Sequence, residues 1–202
     1  MGEYYRTGSF LRLSAAFVEQ ITKKYHYNEN DADIIKKVVS DIRGCIKDQE
    51  GLELSYKGDY VDAAFTLGSR VDLLLERYGK ERLALEEFSA EHILSELMLE
   101  EYAEIAKHIE EKTGRYIGAF HFWGAEEEYP LEKLEEQVEN LEHLKLDCTP
   151  QYQLLPSKSV VFRVELSTEE YAGKDGKGHS PKVDVCANCM LGKTGNCETF
   201  KE

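Results

Sequence analysis

The stretch "SAEHILSELMLEEYAEIAKHIEEKTG", residues 89–114, constrains the fold more than any other part of the chain. Leu94, Leu97, Met98, Tyr102, Ile105 and Ile109 recur at helical spacing, so they form one apolar stripe along a long helix. Ser89 is placed as its N-cap and Gly114 as its end. A helix of that length needs an apolar surface to lie on, and the rest of the chain must build it.

Shorter helices surround it in sequence. "DADIIKKVVSDIRGCI" sets Ile34, Val38, Ile42 and Cys45 on one stripe, with Asn30 or Asp31 as cap. "SRVDLLLERYG" groups Val71, Leu74, Leu75 and Tyr78 and stops at Gly79. "YPLEKLEEQVENLEHL" puts Pro130 in a first turn and Leu131, Leu134, Val138 and Leu141 in register. Strands are expected at "RYIGAFHFW", "QYQLL", "SVVFRVELS" and "KVDVC". In the third of these, Val160, Phe162, Val164 and Leu166 face one way and Val161, Arg163 and Glu165 the other. This order reads as helices first, then strands interrupted by one helix. The fold class it predicts is α+β, with N-terminal helices packed on a mostly antiparallel sheet. Residues 1–181 are expected to form a single domain and 182–202 a cysteine-rich tail, joined by the glycine- and charge-rich "STEEYAGKDGKGHSP".

With 202 residues the chain can bury a real core without disulfide staples. A formal net charge of −14 argues against nucleic acid and against anionic membrane as partners. It suits solubility, or steering toward a basic protein. The N-terminus lacks a basic start followed by an apolar run, and no stretch is long and apolar enough to span a bilayer. The expected location is cytoplasmic. Five cysteines, an odd number, fit a reducing compartment.

Catalytic motifs are few. "GKDGKG" lacks the strand–helix context of a phosphate loop, and "LGSR" lacks the nucleophile-elbow pattern. The histidines are scattered; His92 and His108 stand sixteen apart on the long helix and cannot share a metal. Two turn–strand junctions carry the binding chemistry. "FHFWGAEEEYP" offers His121, the only tryptophan Trp123, Gly124 and Glu127. "LLPSKSVVF" offers Pro156, Ser157, Lys158 and Ser159. Core filling and simple strand entry are the competing structural roles for the same residues. At the C-terminus, Cys186-x2-Cys189 with Cys197 after a flexible loop makes a three-thiolate set for zinc or an iron–sulfur cluster. A fourth ligand is open: Cys148, Cys45, His179, water or a small molecule.

Taken in order, "YIGAFHFWGAEEEYPLEKLEEQVENLEHLKLDCTPQYQLLPSKSVVFRVEL" resembles the reactivation domain of vitamin B12-dependent methionine synthase, and more closely its short stand-alone relatives in anaerobic bacteria. The family's proline–lysine–serine turn is matched by Thr149, Leu155, Pro156, Lys158, Ser159 and Val160, and "TLGSRVDLLLERYG" resembles its "TLG" segment. The resemblance covers roughly residues 60 to 200 and implies that the chain assists reductive remethylation of a corrinoid protein. S-adenosylmethionine would be the methyl donor, a ferredoxin or other reductase the electron source, and the corrinoid protein or methyltransferase the partner. One departure stands out. The family has an arginine and a glycine–tyrosine turn before the "PL" helix; here Trp123-Gly124 and three glutamates occupy that region. The alternative expectation is a metal- or cluster-binding module on the same fold, without S-adenosylmethionine.

Overall fold

A computed structural model describes residues 2–168. The tail cysteines Cys186, Cys189 and Cys197, the "KVDVC" strand and the domain boundary at 181 lie outside the described residues.

The fold is α+β. Among the described residues its sheet has five strands, all antiparallel: β1 (Glu3–Tyr5), β2 (Gly51–Tyr56), β3 (Tyr60–Thr66), β4 (Tyr116–Phe122) and, after β4, the last of those described, Ser159–Ser167. Between β4 and that last strand, Asp147–Cys148 (β5) and Leu154–Leu155 (β6) form a two-residue ladder, which makes Ser159–Ser167 β7. The order across the sheet is β1-β2-β3-β7-β4. Helices α1 (Ala15–Lys24), α2 (Ala32–Ile46), α3 (Arg70–Glu81) and α4 (Ala84–Thr113) share one buried core with the sheet. The short α5 (Leu134–Glu139) lies over the other face.

The long helix is where its periodicity puts it. Leu94, Leu97, Tyr102, Ile105 and Ile109 are buried, and Gly114 ends it in the left-handed region at φ 65°. Its start differs from the expectation. The helix begins at Ala84, and Ser89 is buried within it rather than capping it. Arg82, at φ 58°, closes α3 instead of Gly79, and one residue later the chain turns straight into α4. Asn28 caps the turn that leads into α2, with Asp31 returning the bond to the Asn28 N–H.

The larger correction concerns the first half of the chain, which is not all helix. "GLELSY" and "YVDAAFT" form the β2–β3 hairpin, and β3 is the strand on which β7 pairs. The turn passes through Gly58 at φ 76°, a conformation that favours glycine. Both strands are nearly continuously buried. Burial on two faces erases the alternation by which half-exposed strands are recognised. "QYQLL" contributes only Leu154–Leu155 as strand.

β7 behaves as its alternation predicts. Phe162, Val164 and Leu166 enter the helix-side core, while Val161 joins Ala64, Leu134, Val138, Leu144 and Leu146 beneath α5. The loop after α5 is held by Glu53 of β2. Its carboxylate accepts the N–H groups of Glu142, His143 and Leu144 at 2.7, 2.8 and 2.8 Å. These bonds explain how a carboxylate that is only 3% exposed is tolerated.

Candidate functional site

The aromatic turn forms a tight cluster at the end of β4. Gly124, at φ 88°, donates its N–H to the Tyr129 carbonyl at 2.6 Å and brings the chain back on itself. Tyr129 stacks on His121 at 4.5 Å and meets Trp123 edge-on at 5.2 Å. His121 sits between two carboxylates: Nδ1 is 2.9 Å from Glu126 and Nε2 is 3.2 Å from Glu165. Arg163 of β7 lies across from His121. Its Nε donates to Asp62 at 2.7 Å, and its guanidinium lies 3.8 Å from the Tyr60 ring and within 6 Å of Trp123 and Tyr129. Glu127 is exposed on the turn. Arg115 is committed elsewhere, to the Gly58 and Leu166 carbonyls and to Asp59. The cation beside the aromatic turn is therefore Arg163.

The second nominated segment engages other layers. Ser157 donates its backbone N–H and its hydroxyl to Asp72 near the start of α3. Lys158 pairs with Glu91 on α4. Ser159 donates to the Thr66 hydroxyl at 2.7 Å. Pro156 leads into this turn through a cis peptide. Ser157 and Lys158 are thus tied to the helix layer, whereas His121 and Trp123 belong to the α5 side. The two segments share one end of the β4–β7 pair, but Ser157 and Lys158 reach toward the helices while His121 and Trp123 engage the other face of the sheet.

What the turn does bring together is a distant stretch. The Leu67 N–H donates to the Lys158 carbonyl at 2.9 Å, and Thr66 and Ser159 are bonded although 93 residues apart. Gly68 follows at φ 88°, where a Cβ would stand 2.5 Å from the Gln49 Cβ. Only glycine fits there.

A cavity of about 190 Å³ opens on the helix side of the sheet, beneath β1 and the turn after it. Tyr5, Arg6, Thr7, Arg12, Leu52, Glu101, Glu104, Ile105 and His108 line it. Glu101 is only 1% exposed and pairs with Arg12. Its Oε2 is buried with no partner among the described residues, and so is the Nε2 of His108, two helical turns further along α4. Burial pushes the Glu101 carboxyl up to about 7 against the opposing pull of Arg12. Burial also raises Glu50, a nearby carboxyl with an unpartnered oxygen of its own. Tyr5 meets the His108 ring edge-on at 4.5 Å. The cavity thus sets a carboxylate and a guanidinium side by side at one end and apolar Leu52 and Ile105 beside them. That arrangement can hold a zwitterionic head group, and Glu101 can exchange a proton near neutral pH.

No catalytic or binding motif marks this site in the sequence, although one signal is present. Glu101 falls four residues after Leu97 and four before Ile105, squarely on the apolar stripe of the long helix. A carboxylate there has to be paired or functional. Arg12 carried no such signal.

Among the described residues no group of three or more His, Cys, Asp or Glu is arranged to hold a metal. Cys45 packs against the helix-side core and Cys148 against the cluster under α5, so the two cannot serve one ion together. No helix among the described residues is long and apolar enough to cross a membrane. A scan against protein-family models found no match, and a search of curated proteins found none.

Proposed function

We propose that this chain is a stand-alone relative of the methionine synthase reactivation domain, serving a corrinoid protein in trans. The observation that carries the reading is the junction of its two resembling segments. "TLG" and "LPSKS" are far apart in sequence, yet Thr66 with Ser159, Leu67 with Lys158, and Asp72 with Ser157 join them bond by bond.

On this reading S-adenosylmethionine supplies a methyl group carried on a sulfonium, and a reductase or ferredoxin supplies the electron. The chain's own residues bind and orient. Arg12 and Glu101 would take the α-carboxylate and α-ammonium of the amino-acid end, because the site presents the two opposite charges adjacent, as the ligand does. A proton leaves Glu101 when the ammonium arrives, since the buried carboxyl is half protonated near pH 7. The aromatic turn and Arg163 would then belong to the surface that meets the partner.

Calorimetry of the full chain with S-adenosylmethionine tests this. Saturable binding is expected, weakened at least about tenfold in Glu101→Gln, the loss typical of removing a charged hydrogen-bond partner. Absence of saturable heat in the parent protein, or equal affinity in the variant, overturns the assignment.

A further inference from the structure

A second, more enclosed groove lies on the opposite face of the sheet, between β2, β3 and α5, with about 320 Å³ of free space. Its geometry is fixed in advance. Glu53 on its floor uses both carboxylate oxygens to hold the loop after α5, so the roof cannot drift from the sheet. The polar groups that face it are uncommitted in a structure otherwise rich in pairing: Ser55 on β2, Lys57 just after it, Gln137 on α5 and Asn140 at the C-cap of α5 have no side-chain partner among the described residues. Asp62 uses Oδ1 for Arg163 and keeps Oδ2. The groove walls include the apolar Leu141 and Val161.

These groups define a ligand by elimination. Carboxylates outnumber the single lysine around the groove, which disfavours an anion such as a phosphate. Two carboxamides three residues apart, Gln137 in the last turn of α5 and Asn140 at its C-cap, face the groove, each offering a donor and an acceptor in one plane. Such groups recognise the edge of a purine, as asparagine and glutamine do with adenine. Across the groove, Ser55 stands directly opposite Asp62 in the β2–β3 register. A free carboxylate oxygen beside a hydroxyl suits the vicinal diol of a ribose, the use to which acidic residues are put in dinucleotide sites. Leu141 and Val161 supply apolar surface for the ring face. The free space accommodates a molecule of that size.

We propose that this groove is a binding site for an unphosphorylated purine ribonucleoside, with Gln137 and Asn140 on the base and Asp62 and Ser55 on the sugar. It lies across the sheet from Glu101, since Leu52 and Glu53 point to opposite faces of β2, and it does not depend on the S-adenosylmethionine reading.

The test titrates full-length ¹⁵N-labelled protein with adenosine and follows amide shifts. Saturable shifts are expected in residues 53–63 and 134–142. Asn140→Ala and Gln137→Ala, neither of them fully buried, should each weaken binding about tenfold, as should replacing adenosine by 2′,3′-dideoxyadenosine. Adenosine 5′-monophosphate should bind more weakly than adenosine. Glu101→Gln should leave the titration unchanged, which separates this site from the other cavity. Saturable shifts confined to residues around Glu101, no saturable shifts at all, or variants that bind like the parent would overturn the proposal.

Discussion

The two faces of the sheet are built on different principles. On the helix side Phe65, Phe162, Ile93 and Leu97 are wholly buried and four helices contribute to one continuous core. On the α5 side the cover is six helical residues and a loop, and Val138, Leu144 and Leu146 keep 7–9% of their surface exposed. Each face also buries a carboxylate, and they are treated in opposite ways. Glu53, under the thin cover, is satisfied by three backbone N–H groups. Glu101, within the thick core, has an oxygen without a partner among the described residues. The thin layer uses its polar group to hold itself together. The thick layer has enough apolar burial to tolerate an unsatisfied group, which is where a functional strain can be kept.

Leucine truncations give the largest expected contrast. Leu97→Ala should cost about 3–5 kcal/mol, because a fully enclosed site cannot collapse around the missing atoms. Leu144→Ala should cost about 2 kcal/mol, since its shallow cover can close in. Urea unfolding of the two variants reads the difference, and equal costs would erase the distinction between the faces.

The pH dependence comes next. The folded state raises the Glu101 carboxyl from 4.5 to about 7, so the folded protein holds this proton more tightly than the unfolded chain. The stability from that proton is full below about pH 4.5 and is lost as pH rises through about 7. The loss should be on the order of 3 kcal/mol. Glu101→Gln should remove it, so parent and variant stabilities should diverge across this window. Parallel stability–pH curves would show that Glu101 does not titrate there.

The smallest effect is the most local. Glu53→Gln puts an amide N–H₂ where a carboxylate oxygen accepts N–H groups, at an expected cost of about 1.5–2 kcal/mol. Hydrogen exchange of the 142–144 amides should quicken at least about tenfold while the amides of α4 change less. A uniform change through both would mean that Glu53 stabilises the whole domain rather than its thin face.

Much of this architecture was readable in the chain. The stripe of α4 and the alternation of β7 are periodic because each element buries one face only, and one-sided burial leaves a pattern. The β2–β3 hairpin was missed for the complementary reason: Leu52, Glu53 and Leu54 are all buried, so nothing alternates. The nominated binding residues divide in the same manner. His121, Trp123 and Gly124 were visible as an aromatic–glycine turn and do cluster, with Tyr129. Their neighbour Arg163 was legible only as the outward-facing residue of a strand, because its aromatic setting comes from Tyr60 and Tyr129, both remote in sequence. The Arg12–Glu101 pair spans 89 residues, and nothing local announces such a contact.

The strand order has a consequence for how the protein is made. β7 is inserted between β3 and β4, so the last strand among the described residues is not at the sheet's edge. Until residues 159–167 leave the ribosome, β4 has no neighbour and β3 has one bare side. The nascent chain therefore carries two unpaired strand edges, both rich in apolar and aromatic residues, for as long as translation takes to cover the stretch from 122 to 167. The arrival of β7 covers both edges at once, and the helices made earlier must shield them in the meantime.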